Sequence, residues 1–229
     1  MRRIAVLFTL VLFAVGAAVA QTEVEPRRFE LSVEKGLPSV LNGPQLDEIS
    51  NLAISFAWAP TKDFQLHATY TKWDALIAKD DVLTQDFATL YNEQFPQAEQ
   101  RVFRDAVLDK RDLEMEWWEV GLIKSIPLGS KHWEGHIGIA VGITNSTADV
   151  TWTGAEMKTG GPAVPVPSLH IEDNNSFFTS VRGGVRFLPI SWFAIQASAK
   201  LVPIASIFDE NINTLEVNAG LVFRLGKVK

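Results

Sequence analysis

Leu215-Glu216-Val217-Asn218-Ala219-Gly220-Leu221-Val222-Phe223-Arg224-Leu225 reads as one extended strand. Leu215, Val217, Leu221, Phe223 and Leu225 share one parity, and Glu216, Asn218, Gly220 and Arg224 share the other. Successive side chains of a strand point to opposite faces, so this segment separates an apolar surface from one that carries charges of both signs.

The same period recurs seven more times upstream. In the first half the apolar parity carries Phe29, Leu31, Val33; Leu52, Ile54, Phe56, Trp58; Phe64, Leu66, Ala68, Tyr70; and Trp118, Val120, Leu122. In the second half it carries Trp133, Ile137, Ile139, Val141, Ile143; Phe177, Val181, Val185, Phe187; and Phe193, Ile195, Ala197, Leu201. Segments of about 9 to 11 residues suit tilted strands that cross a bilayer. Tight turns are expected at Pro60-Thr61-Lys62, Pro127-Leu128-Gly129-Ser130 and Leu188-Pro189-Ile190-Ser191, alternating with longer excursions over 36–48, 74–112, 146–175 and 205–213. That asymmetry predicts periplasmic turns and outward loops.

The amino terminus fits export. Arg2 and Arg3 precede an apolar run from Ile4 to Val15, and Ala18-Val19-Ala20 offers a cleavage pattern, so residues 1–20 are read as a signal peptide and 21–229 as the barrel domain. Removing residues 1–20 takes away two of the 21 basic residues and none of the 27 acidic ones, leaving a formal charge of -8. That sign disfavours nucleic acid and other polyanionic partners. With no cysteine in the chain, disulfides and thiolate metal sites are excluded.

Period-2 alternation also fits a soluble barrel with an apolar pocket, so the outward parity needs further grounds. Trp58, Phe64, Trp133, Phe187 and Phe193 lie beside the tight turns, while Tyr70, Trp118 and Phe177 lie toward the long loops, as two interfacial girdles would. The polar parity mixes small residues with charges of both signs, which suits a narrow lumen. Finally, Asn218, Gly220, Phe223 and Leu225 fall in the order of the assembly signal of outer-membrane barrels, a pattern that the barrel-assembly machinery reads. Gly226-Lys227-Val228-Lys229 follows where such chains usually end on an aromatic residue.

With that terminal signal, the strand number and the turn and loop order, the mature chain resembles the small OmpA/OmpX/OmpW-type barrels. The resemblance implies an all-β, eight-stranded antiparallel up-and-down transmembrane barrel in the lipid of the cell outer membrane. Members of that group serve as anchors, adhesins, conduits for small hydrophobic molecules and occasionally lipid A-modifying enzymes, so function has to come from sites.

On the inward parity stand five acids, Glu30, Glu34, Glu119, Glu134 and Glu216, and four bases, Arg182, Arg186, Lys200 and Arg224. Near balance predicts a lumen closed by ion pairs, with Arg224 beside Glu30, Lys200 beside Glu216 and Glu134 near Arg186. His132, Glu134 and His136 are spaced to share that face, and His67 is expected in the lumen too. Without a third ligand they read as hydrogen-bonding lumen residues and not a metal site. His170, with Ser168 and Ser176 nearby, sits in no H-x-S or G-x-S-x-G pattern, so neither catalytic residues nor a cofactor are assigned.

The 74–112 stretch reads as a helical insertion in the second outward loop, with nine acidic and five basic residues. Val82, Leu83, Phe87, Leu90 and Tyr91 form one stripe, and Phe103, Val107 and Leu108 a second beyond Pro96. Of these, Phe87, Leu90, Tyr91, Phe103 and Val107 are candidates for a loop surface. Gly160-Gly161-Pro162 and Pro165-Val166-Pro167 predict a mobile third loop. The leading expectation is a non-enzymatic surface barrel whose loops contact a host, cell-surface or envelope ligand. Binding or passage of a small hydrophobic solute, as in OmpW-like barrels, comes second, and a lipid A-modifying enzyme third.

Overall fold

The computed structural model describes residues 28–61, 64–78, 82–96, 100–103, 106–153, 155–157, 168–208 and 210–226. The expected signal peptide and the glycine- and proline-rich third loop lie outside the described residues. Ten strands and one helix follow in order: β1 (Phe29–Asn42), β2 (Leu46–Trp58), β3 (Phe64–Ile77), α1 (Val82–Gln94), β4 (Arg101–Val102), β5 (Val107–Ser130), β6 (Trp133–Thr153), β7 (Glu156–Met157), β8 (Leu169–Ile190), β9 (Phe193–Ile207) and β10 (Glu210–Leu225). Eight of them close a ring in the order β1-β2-β3-β5-β6-β8-β9-β10, every neighbouring pair antiparallel, while β4 and β7 pair separately.

Register fixes the shape of this ring. Partners followed from Phe29 run through Trp58, Leu66, Leu122, Ile139, Val181, Leu201 and Leu215 and return to β1 at Ser39, ten residues above the start. Eight strands with that stagger tilt by roughly 40° and enclose a bore that side chains just fill.

Outward residues along the lower strands are apolar and exposed, among them Leu31, Ile54, Leu66, Val120, Ile139, Ile195 and Leu221. Phe29, Trp58, Phe64, Trp133, Phe187 and Phe223 ring the end with the short turns, and Tyr70, Trp118 and Phe177 stand toward the other end. Such a band with aromatic borders spans about 25 Å of hydrocarbon.

The strands do not stop there. β5, β6 and β8 have 24, 21 and 22 residues, about twice what a bilayer crossing needs. Beyond the band the polarity of the two faces reverses. On β5 the outward series Leu122, Val120, Trp118 continues as Glu116, Glu114, Asp112, while inward Glu119 gives way to buried Trp117, Met115 and Leu113. On β6, outward Ile143 is followed by Asn145, Thr147 and Asp149, with Ala148, Val150 and Trp152 buried inside. The lower barrel is apolar outside and polar inside because lipid surrounds it; the upper barrel is a stalk with an apolar core because water surrounds it.

Several expectations are corrected here. The excursions over 36–48 and 205–213 are short turns between long strands, since β1 runs to Asn42 and β2 begins at Leu46, and β9 runs to Ile207 and β10 begins at Glu210. The insertion is helical only over α1, and Val107 and Leu108 open β5 instead of a second helix. Extra residues hide the strand period from sequence. Leu108 pairs with Trp152 and Arg111 with Val150, so Asp109 and Lys110 face the single residue Thr151, and Leu108 and Leu113 point the same way although five apart. Similar breaks occur between Asp47 and Ser50, where Glu48 has φ of 50°, between Asp173 and Ser176, and between Leu201 and Ile204. Two of the turns also sit slightly later than expected, at Lys131-His132 and Ser191-Trp192.

One outward residue breaks the apolar band. Lys35 points to lipid from the middle of β1, between Leu52 and Ala219 in register, without an ion-pair partner among the described residues. An unpaired cation at that depth opposes insertion. Urea unfolding of the protein in lipid vesicles should therefore show Lys35→Leu stabilised by about 1–2 kcal/mol, and Ile139→Arg, on the same surface, destabilised by about 2–4 kcal/mol. Equal effects of either sign would invalidate the outward parity.

Candidate functional site

The lumen is filled in layers. Nearest the short turns, Glu30, Glu134, Arg186 and Arg224 come together from β1, β6, β8 and β10. Arg186 Nη1 donates to Glu30 at 2.8 Å and Glu134 at 3.3 Å, and Arg224 donates through Nε to Glu30 at 2.8 Å and through Nη2 to Glu134 at 3.2 Å. Each arginine thus meets both carboxylates, and the four charges form a closed cycle across the bore. Gln196 accepts from Arg186 Nε at 2.6 Å, and Ser125 donates to Glu134 at 2.9 Å.

A layer without ion pairs among the described residues follows. His67 and His136 are buried there, Ser55 and Thr69 hydroxyls lie 2.8 Å apart, and His67 Nδ1 is 3.2 Å from Thr69. Ser198 donates to Glu34 at 2.7 Å, and Glu34 joins none of the ion pairs among the described residues. Gly220 faces Glu34; a Cβ there would collide with the Val33 carbonyl and the Glu34 side chain, so this glycine of the terminal motif also has a packing reason to be bare.

Above it lies a second group of charges. Arg182 donates to Glu119 at 2.5 Å, Lys200 lies 2.7 Å from Glu216 and 3.8 Å from Glu119, Ser180 donates to Glu119 at 3.0 Å and Asn51 to Glu216 at 2.6 Å. Lys200 Nζ also sits 5.6 Å from the centre of the Trp117 ring. Trp117 stacks on Trp73 at 5.1 Å and meets Phe178 edge-on at 4.7 Å, closing the charged lumen with an aromatic lid.

All nine sequence-derived lumen residues are buried, and the three expected pairs are in contact. Sequence spacing missed the Glu119–Arg182 pair and the crossed contacts Arg186–Glu30 and Arg224–Glu134, because these reach across the bore between strands that are not neighbours in the ring. His132 does not share the inward face with Glu134 and His136: it is an exposed turn residue whose Nδ1 lies 2.9 Å from the Leu188 carbonyl oxygen. Among the described residues, no group of three histidine, cysteine or acidic side chains could hold a metal ion.

The presumed loop surface is mostly interior. Phe87 and Tyr91 of α1 are buried with Leu83 among Ile77, Leu113, Trp152 and Ile207, Leu90 and Phe103 pack against that core, and only Val107 is exposed. Tyr91 lies 6.1 Å from Trp152 and 5.5 Å from Phe103, ring centre to ring centre, and Phe87 lies 5.2 Å from Phe208. The helix is therefore the lid of the stalk, and the stalk walls are what solvent meets.

Eight strands, a stagger of ten, a lipid-facing band and a filled lumen decide the architecture. The fold is that of the small outer-membrane barrels. No family model matches the sequence, and no curated protein matches it. Among solved structures the chain is similar to neisserial surface protein A, at 11% identity and a TM-score of 0.49 over 86% of this chain and 97% of that one. It is also similar to Ail, the attachment invasion locus protein of Yersinia pestis, at 11% identity and a TM-score of 0.45 over 86% and 99% of the chains. The outer membrane protein OprG from Pseudomonas aeruginosa aligns at 6% identity and a TM-score of 0.47 over 88% and 97%.

On the stalk, His170 of β8 pairs in register with Asp149 of β6. Its Nδ1 lies 2.7 Å from Asp149 and its Nε2 lies 3.3 Å from Glu172, while Lys110 Nζ reaches Asp149 at 3.3 Å. The hydrogen bond to Asp149, then that to Glu172, raises the imidazole pKa above its usual value, and the same His170 contact holds the Asp149 carboxyl below its own. A raised folded-state pKa means that the linkage favours the fold below the unfolded pKa and fades as pH rises through the folded one. An NMR titration should place His170 above a free imidazole, and Asp149→Asn should move it back; an unshifted wild-type midpoint would refute the contact.

For the lumen, Glu119→Gln leaves Arg182 without its carboxylate and deprives Lys200 of one. Unfolding in vesicles should show a loss of about 3–5 kcal/mol, against about 1 kcal/mol for Glu34→Gln, whose amide oxygen can still accept from Ser198.

Proposed function

We propose that the chain is a non-enzymatic surface barrel that uses its lipid-crossing half as an anchor and its stalk as a rigid docking post for a partner outside the membrane: a host surface, a neighbouring cell or another envelope component. The reading is carried by the continuation of paired strands beyond the lipid band with reversed polarity. Mere connections between spanning strands need no apolar core of their own, whereas a surface that must keep its shape does. Rigid strands also spare the ordering entropy that a flexible loop would lose on binding.

The stalk walls set the sign of the partner. Asp47, Asp74, Asp109, Asp112, Glu114, Asp149 and Glu172 are exposed there, against Lys72 and Lys110, with Arg111 bonded to Asp47 at 2.7 Å. A partner with a basic face is attracted and a polyanion is repelled.

The alternatives find less support. Passage of a solute through the barrel meets two charge layers, a tryptophan lid and the apolar core in series. A lipid-modifying enzyme needs a free base beside a nucleophile near the outer rim, and both ring nitrogens of His170 face carboxylates.

Intact cells displaying the protein should bind polylysine-coated beads in a salt-sensitive way and ignore heparin beads. The triple change Asp109→Asn, Asp112→Asn, Glu172→Gln should weaken bead binding about tenfold while surface display stays constant. Adhesion to host or bacterial cells should fall in parallel. Retention on heparin, or adhesion indifferent to both the triple change and removal of α1, would refute the docking post.

A further inference from the structure

The lipid-facing wall over β2, β3, β5 and β6 is not an even cylinder. Ala68 stands in register between Phe56 and Val120, and beside this short side chain lies a groove of about 520 Å³ walled by Phe56, Tyr70, Trp118, Val141 and Phe177. Phe177 is 82% exposed and stands as a free wall. The volume falls within the roughly 300–1,000 Å³ typical of small-ligand sites.

The outer end of the groove meets the level at which the strands turn acidic. Along β3, Lys72 and Asp74 follow Tyr70, and along β5, Glu116 and Glu114 continue outward from Trp118. Lys72 pairs across the ladder with Glu116, and Asp74 with Glu114. The Tyr70 hydroxyl donates to Glu116 at 2.8 Å, which ties a groove wall to the rim, while Lys72 Nζ lies 2.8 Å from Glu114 and 3.6 Å from Asp74. Two carboxylates thus face one ammonium, and a third holds the Tyr70 hydroxyl, at the mouth of an apolar slot.

We propose that this groove binds a cationic amphiphile, with one hydrocarbon chain between Phe56, Trp118 and Phe177 and an amine head at Asp74, Glu114 and Glu116. Hydrocarbon leaving the bilayer for the groove gains no hydrophobic driving force, because lipid tails are as apolar as the groove. Selection therefore falls to the fit of the chain and, above all, to the head. The excess negative charge of the rim repels a fatty-acid carboxylate or a lipid phosphate and attracts an ammonium, in an interface where charge interactions are screened less than in bulk water. The chain slot lies on the outside of the anchor; its head site shares Asp74 and Glu114 with the acidic stalk walls, but none of the residues changed in the docking test.

The test uses the full chain in phosphatidylcholine vesicles at neutral pH and three quenchers: a brominated alkylamine, the matching brominated fatty acid and brominated phosphatidylcholine. The Trp118 signal is the difference in emission between the wild type and Trp118→Phe. Saturable quenching by the alkylamine is expected at a mole fraction about fivefold or more below that required of the fatty acid, and this preference should shrink as salt rises. Ala68→Phe, which fills the groove, should abolish the saturable component, and Glu114→Gln with Glu116→Gln should remove the preference for the amine while leaving heat-modifiable migration intact. Equal, non-saturating quenching by all three probes would mean bulk lipid only, and stronger quenching by the fatty acid would reverse the assigned sign; either overturns the proposal. The three-probe comparison on wild-type protein decides the matter even if the groove-filling variant does not fold.

Discussion

The bore of an eight-stranded ring with a stagger of ten is narrow enough for side chains to fill, so the inward charges take their partners from neighbouring strands or across the bore. Around that constraint the anchor is organised. Two arginines and two glutamates can close a cycle near the short turns because their strands, β1, β6, β8 and β10, face one another across a space about two side chains wide. Any one of the four, left alone, would keep a charge buried without compensation. The cycle is therefore better understood as a condition of closure than as a source of net stability, since desolvation consumes most of what the pairing supplies. Small inward residues belong to the same logic. Gly142 is bare because the Phe178 ring occupies the place of its Cβ, and that ring in turn closes on Trp117.

A second constraint is the end of the bilayer. Continuous strands that pass from hydrocarbon into water must exchange the polarity of both faces, and β5 does so within two residues, at Glu116–Trp117 against Trp118–Glu119. Strict alternation is kept through that exchange, so backbone pairing is uninterrupted even as the environment reverses. Extra residues enter β2, β8 and β9 in the portions beyond the band, where a stronger twist lets the walls lean onto an apolar core instead of a polar lumen.

These two constraints explain what the sequence made legible. Alternation in a lipid-facing strand is strong because one face must be apolar throughout, so the eight spanning segments, their outward parity and the near balance of inward charge can be read directly. Depth along adjacent strands was enough to pair Arg224 with Glu30 and Lys200 with Glu216. Above the bilayer the code inverts and bulges shift its phase, so Leu108 and Leu113, or Asp47 and Ser50, no longer look like one strand. In sequence, the segments holding them therefore look like loops or helix. Phe87 and Tyr91 formed a recognisable helical stripe, but periodicity alone cannot tell a face that meets a partner from one that seals a core. Neither could spacing foresee the groove, which arises from one alanine, Ala68, among bulky neighbours on strands far apart in the chain.

The plug and the stalk are joined in one physical unit. Lys200 lies between Glu216 and the Trp117 ring, so the topmost charge of the lumen is also the lowest contact of the aromatic lid. Above it, Trp73, Phe178, Met115 and Leu113 continue into the core sealed by α1. A dry core over the upper charges lowers the local dielectric and strengthens their attraction, while the charges hold the strands at the spacing which that core needs. Loosening the lid would hydrate the pairs, and breaking the pairs would splay the base of the stalk. A docking surface built on such a column transmits its rigidity from the lipid anchor upward, which a flexible loop set on the same barrel could not do.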